Sequence, residues 1–262
     1  MDDTEQMNSG VLAFAFALAT LSSCTMPYAR AYAGYANMGL SGDVALAPTV
    51  GSTNLGALKV DVESELGLDG GVGSPYGRVD IGLGPIGITA SAFQYSKVGT
   101  GTITRQFGNI TAGAQVRSDL DLTDIKGALL FNLIDIGPVR ISPGLGVNFV
   151  DLQLDVRTLT GGVASDTVDV TAPIPMAFLQ GDLDLGVFGA TIEGGGMSVD
   201  LSDAKGTYWD VEGLVRYQPL KHFNIFAGYR WISLDAEGNA DGQDFDAKLS
   251  LKGWMVGGAF TF

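Results

Sequence analysis

The sequence predicts an all-β fold: a single antiparallel up-and-down β-barrel that crosses a membrane on about ten strands, with eight or twelve as alternatives. Three observations lead there. About ten stretches alternate apolar and polar residues between clusters of Gly, Pro, Asp and Asn. The connections between them are by turns very short and long, polar and acidic. The chain closes on a glycine-containing strand whose last residue is the aromatic Phe262. Helical periodicity is nearly absent. After the N-terminal region, no apolar run reaches the ~18 residues that a membrane-spanning helix needs.

Residues 11–21 (VLAFAFALATL) have the length and apolarity of a signal-peptide core and are too short to span as a stable helix. Two processing sites follow. Leu21-Ser22-Ser23-Cys24 resembles a lipobox, in which Cys24 would be lipidated after cleavage, and Ala29-Arg30-Ala31 fits the small-x-small rule. Both stand as alternatives. Residues 1–30 are read as the signal peptide and 31–262 as the barrel. Residues 1–10 carry acids and no Lys or Arg, unlike a signal-peptide start; initiation at Met7 would remove those acids.

Four short turns lie between strand-like runs: Gly84-Pro85, Gly137-Pro138, Gly186-Val187 and Leu220-Lys221-His222. Long connections fall near residues 48–73, 99–117, 158–166, 200–206 and 236–244. Short turns at one end and long loops at the other are the pattern of a transmembrane barrel. The segment 48–73 is long enough to hide a further hairpin.

The alternation is clearest over residues 207–217. One face carries Trp209, Val211, Gly213, Val215 and Tyr217; the other carries Asp210, Glu212, Leu214 and Arg216. At ~3.3 Å per residue and a tilt of ~40°, Trp209 and Tyr217 stand roughly 20 Å apart, close to the ~25 Å apolar band between aromatic girdles. The next strand repeats this with Phe223, Ile225, Ala227, Tyr229 and Trp231 opposite Asn224, Gly228 and Arg230; Phe226 and Ile232 break the pattern. Trp209, Tyr217, Tyr229, Trp231 and Trp254 are the expected membrane girdle. Registers of this kind put Arg78, Asp80, Lys126, Arg140, Glu193, Glu212, Arg216, Arg230, Lys248 and Lys252 on the lumen side. Charges there must be paired, because a lone charge away from water is costly. In the last strand the apolar phase switches between Leu249, Leu251 and Trp254, Val256, which predicts a bulge near Gly253. Pro173 and Pro175 predict a bulge or a rim position.

The formal net charge of −14 excludes a nucleic-acid-binding protein, which needs clustered Lys and Arg. Acid-rich stretches such as 235–244 read as solvated loops and lack the spacing of a calcium loop. With a single Cys and a single His, no Cys/His zinc site can form within the chain, and neither metal nor cofactor is expected. His222, the residue type most used as a general base, sits in a tight turn beside Lys221, away from the long loops, so no enzyme is expected. Gly194-Gly195-Gly196 lacks the Lys-Ser/Thr of a phosphate loop.

Gly257, Phe260 and Phe262 match the terminal signal of outer-membrane barrels, through which the assembly machinery recognises the last strand. Further stretches carry a wider resemblance: residues 61–69 (DVESELGLD), 118–124 (SDLDLTD), 172–176 (APIPM), 217–219 (YQP), 228–231 (GYRW) with Leu234-Asp235, and 244–246 (DFD). On these the chain resembles a family of uncharacterised Gram-negative outer-membrane β-barrel proteins, over most of residues 30–262. The resemblance implies the fold, an outer-membrane location with both termini periplasmic, and outer-membrane lipid and the barrel-assembly machinery as partners. It implies no catalytic residue. The expected function is a structural or loop-mediated binding role with a charge-filled lumen. The alternative is a narrow porin-like channel for small solutes or ions.

Overall fold

The computed structural model describes residues 27–48, 58–159, 164–200, 204–240 and 243–262. The signal-peptide core and Cys24 lie outside the described residues. Among the described residues there are twelve strands: β1 (Tyr28–Leu46), β2 (Val60–Asp61), β3 (Gly71–Leu83), β4 (Ile86–Thr102), β5 (Gln115–Phe131), β6 (Ile134–Ile136), β7 (Val139–Thr158), β8 (Ser165–Asp184), β9 (Phe188–Asp200), β10 (Ala204–Leu220), β11 (Phe223–Ala240) and β12 (Gln243–Thr261). β2 and β6 lie off the closed path, which leaves ten strands in an antiparallel barrel. Each barrel strand pairs with its neighbours in chain order, and β12 returns to β1 from Arg30↔Thr261 to Leu46↔Phe245. Below this ladder the Phe262 amide donates to the Ala29 carbonyl at 2.8 Å. Among the described residues between β1 and β3, the stub β2 is the one strand, and it pairs with β1 above β3.

The four predicted turns join β3–β4, β6–β7, β8–β9 and β10–β11. Three of them place glycine at positive φ, Gly84 at 64°, Gly137 at 60° and Gly186 at 79°, where a side chain would be strained. β6 continues the line of β5 after a break at Asn132-Leu133 and pairs with β7. β1 begins at Tyr28, ahead of the boundary at residue 31, and the Ala29-Arg30-Ala31 site lies inside it.

Alternation holds through β8, β11 and β12, and three expectations change because of it. No bulge interrupts β12: its register with β1 and β11 is unbroken through Gly253. Leu251, Gly253 and Met255 face in, whereas Lys252, Trp254 and Val256 face out, in one phase. Phe226 and Ile232 are ordinary inward positions of β11. Phe226 packs edge-on to Tyr32 with centroids 5.5 Å apart and lies 5.9 Å from Tyr76. β8 also holds its register with β7 through Pro173↔Phe149 and Pro175↔Val147, so no bulge forms there.

The prolines are explained by where the ladders stop. β8 pairs with β9 only from Ala177↔Gly196 down to Asp184↔Gly189. Prolines two residues apart remove N–H groups from a single edge of a strand. Above Ala177 the β9 edge of β8 has no ladder partner among the described residues, so their loss is harmless. A second seam opens between β3 and β4 above Tyr76↔Phe93. It is filled by the segment after β2: the Gly67 backbone lies so close to β4 that a Cβ there would sit 2.2 Å from the Thr100 carbonyl oxygen.

Gly257 shows a similar close approach inside the barrel. A Cβ on it would stand 2.3 Å from the Ala33 carbonyl oxygen and 2.7 Å from the Phe226 ring. Gly257→Ala is therefore expected to cost about 1–3 kcal/mol by overpacking, read as a lower urea midpoint for the barrel refolded in lipid vesicles. Removal of residues 28–31 would strip β1 of its first rungs with both neighbours, Tyr28 to Ala31 against β3 and Arg30 and Ala31 against β12. Intact mass of the folded, membrane-extracted protein is expected to place the mature start at or before Tyr28.

Candidate functional site

The inward faces of the strands converge at mid-height on a cluster of charge. Arg78 of β3 reaches Glu193 of β9 at 2.7 Å, Glu212 of β10 at 2.8 Å and its own-strand neighbour Asp80 at 2.8 Å. Lys126 of β5 lies 2.8 Å from Glu193 and 3.1 Å from Asp210. Arg230 of β11 lies 2.7 Å from both Asp124 of β5 and Asp210 of β10. In a ring of ten strands β3 and β9 stand opposite each other, as do β5 and β11. Two of these ion pairs therefore cross the full diameter. Neutral donors complete the cluster: Tyr76 donates to Glu212 at 2.7 Å, Thr89 to Asp80 at 2.8 Å, and Asn148 to Asp124 at 2.7 Å and to the Tyr208 hydroxyl. Arg78, Lys126, Glu193, Glu212, Asp210 and Arg230 are each at most 2% exposed. Three cations (Arg78, Lys126, Arg230) thus face five carboxylates (Asp80, Asp124, Glu193, Asp210, Glu212).

Toward the turn end a second polar tier follows. Arg216 donates to Thr191 at 2.5 Å and Thr191 to Asp182 at 2.7 Å. Arg140 is separate from the main cluster, half-buried at the turn-end opening, 3.5 Å from Asp135 and 3.3 Å from the Tyr28 hydroxyl. Lys248 and Lys252 require correction. Both point outward, Lys248 towards Asp235 at 3.5 Å with its side chain 68% exposed. Taking the apolar residues near them as lipid-facing puts them in the lumen, and the unbroken register of β12 reverses that. Trp209, Tyr217, Tyr229, Trp231 and Trp254 all lie on the outer face, 41–52% exposed. Trp254 packs 6.3 Å from Tyr35, and Tyr217 packs 5.2 Å from Phe188. Gly257 faces the lumen, whereas Phe260 and Phe262 are exposed on the outside.

Asp124 and Asp210 were not singled out as site residues, yet both are central. Each lies two residues before a predicted lumen charge, Lys126 and Glu212, and so on the same face of its strand. That spacing was the available signal.

Toward the loop end the inward faces become apolar and enclose a chamber of about 290 Å³. Leu40, Leu154, Ile174, Leu234 and Leu249 form its walls, and Val62, Leu68 and Phe107 its roof. A smaller space of about 50 Å³ continues down to Asp124 and Tyr208, so the charge cluster is the floor. The roof comes from two connections, residues 58–70 and 103–114. Glu65 of the first accepts from the Thr104 backbone at 2.8 Å and from the Thr104 hydroxyl, pinning one to the other. Asp61 accepts from the Ser64 amide and hydroxyl, each at 2.7 Å.

These hydrogen bonds hold Asp61 below the ordinary carboxylate range, the Ser64 amide contributing most. Burial pushes the Glu65 carboxyl up, but its bonds to Thr104 and to the Asp61 amide outweigh this and leave it lowered. A lowered folded pKa gives stability that is present above the unfolded value and lost as pH falls through the folded one. Amide exchange at Ser64 and Thr104, corrected for intrinsic rate, is therefore expected to be unchanged from pH 7 to 5 and to rise below about pH 4. Arg230→Met would leave Asp124 and Asp210 without their shared partner at a cost of about 3–5 kcal/mol, measurable as a loss of urea resistance in vesicles.

No protein-family model matches the chain, and no curated protein matches it in sequence. Solved structures do match. The outer membrane protease OmpT of Escherichia coli is 10% identical, covers 90% of this chain and 97% of its own, and superposes with a TM-score of 0.58. Ail, the attachment invasion locus protein of Yersinia pestis, is 12% identical over 91% of this chain and 100% of its own, with a TM-score of 0.38. The chain has the fold of outer-membrane β-barrel proteins. At these identities the likeness is one of fold.

Proposed function

We propose that the chain is an integral outer-membrane protein with a non-conducting lumen, whose role is non-catalytic binding at the loop end. The observation that carries this is the pair of diametral ion pairs, Arg78–Glu193 and Arg230–Asp124, each at 2.7 Å in a fully desolvated cluster. An ion crossing that level would have to displace paired charges from their partners, at a cost of several kcal/mol per broken pair. A narrow channel needs instead a water-lined constriction.

In this reading the outward aromatics Tyr35, Trp209, Tyr229, Trp231 and Trp254 meet one lipid interface, and Tyr217, Phe188 and Phe260 meet the other. The turn end and both termini face the periplasm. The outward Lys252, level with Trp231 in the β11–β12 register, reaches headgroup phosphates. Phe262 is exposed at the end of the last strand, where the assembly machinery would read it. His222 lies at the turn end, its Nδ1 2.9 Å from the Thr261 carbonyl oxygen, away from the chamber.

Purified protein in planar bilayers is expected to show no conductance steps above the protein-free baseline in salt solution. Reproducible unitary steps from wild-type protein would sink the closed-lumen reading.

A further inference from the structure

The loop-end chamber is unlike the rest of the lumen. Its walls are aliphatic, and polar groups enter only at its rim and floor. At about 290 Å³ it is roughly twice the ~150 Å³ apolar cavity that stays dry and takes up benzene.

The chamber also meets the gap in the barrel wall. Val168, Ile174 and Met197 line it, and all three belong to the parts of β8 and β9 that do not pair with each other. The gap starts at Ala177↔Gly196, level with Trp209 in the β9–β10 register. Just above on the outer surface, Asp151 and Thr171 replace Phe149 and Pro173 as the facing pair. The wall therefore parts where the outward face changes from apolar to polar.

The floor sets the charge of the occupant. Five carboxylates against three cations leave it with an excess of negative charge, and Asp124 stands at its upper edge. An anionic head would be repelled, and a cationic one would lose its hydration among aliphatic walls. An uncharged, predominantly hydrocarbon molecule meets neither penalty.

We propose that the chamber binds one uncharged, hydrocarbon-rich small molecule, which passes through the β8–β9 gap at the membrane interface. Ligand binding here rests on the loop end being the working part of the barrel. It does not depend on whether the waist conducts: a conducting barrel that still binds would overturn the closed lumen and leave this site standing.

The test uses the full mature chain in lipid nanodiscs, with radiolabelled 1-dodecanol and dodecanoate as probes and empty nanodiscs as the partition control. Saturable dodecanol binding at about one molecule per barrel is expected, with dodecanoate at least about tenfold weaker. Ala172→Trp fills the chamber from its wall and is expected to lower dodecanol affinity at least about tenfold. Should that variant fail to fold by heat-modifiability, Ala236→Phe fills the same space from β11. Ser198→Trp stands on the outward face of β9 beside the gap, away from the chamber wall. It is expected to slow label exchange several-fold with affinity unchanged. Absence of saturable binding by folded wild type, or full binding by a folded filled variant, overturns the site. Equal affinity for dodecanoate overturns the uncharged ligand, and wild-type exchange in Ser198→Trp overturns the lateral route.

Discussion

The structure depends on pairing guanidinium and ammonium groups with carboxylates across a space no wider than two side chains. In a ten-stranded barrel the inward residues of opposite walls meet. Arg78 on β3 and Glu193 on β9 are 115 residues apart in sequence and in direct contact. Each such ion is desolvated, so its partner is a condition of burial. The same contacts also tie together strands that share no backbone hydrogen bonds. The wall is held by ladders between neighbours, and the cross-section by charge.

Above that waist the rule that relates residue type to direction inverts. In the lipid belt the outward face is apolar and the lumen polar, as Trp209 and Asp210 show. Nearer the loops, Leu249 and Leu251 turn inward while Lys248 and Lys252 turn outward. The strands are longer than a membrane requires: at ~3.3 Å per residue and a tilt of ~40°, 17–20 residues rise roughly 43–50 Å, against an apolar band of ~25 Å. In the outer-membrane reading the excess stands in water, and there it follows the logic of a soluble barrel, apolar inside and polar outside.

That inversion decides what could be read from the chain alone. Strand number, tight turns and the placement of Arg78, Lys126 and Arg230 follow from a period of two and from turn chemistry, both local. The change of phase in the last strand was equally visible, but two causes give the same pattern. An extra residue would flip the faces; a change of surroundings leaves the faces alone and exchanges what they meet. Only the register of β12 against β1 and β11 separates the two, and register is a property of three strands. The prolines at 173 and 175 posed a similar ambiguity, resolved by where β9 ends. The chamber was hidden in part for the same reason, since Leu249, one of its walls, belongs to the stretch whose phase had two explanations. Asp124 and Asp210 lay within reach of inspection, each two residues from a charge already singled out.

The pairing of β1 with β12 has a kinetic meaning. Its partners are the most distant in the chain, from Arg30 with Thr261 to Leu46 with Phe245. Until the last strand is available, the sheet has two open edges, and every hairpin between them can form without them. Closure then waits on the completed chain, and its loop-closure entropy must be met before the cross-barrel ion pairs can reward it. Burial of those ions is favourable only in a closed ring, so a partly wound sheet has charged side chains on the surface that is to become its interior. Closure of the ring is thereby the step on which the burial of those ions depends.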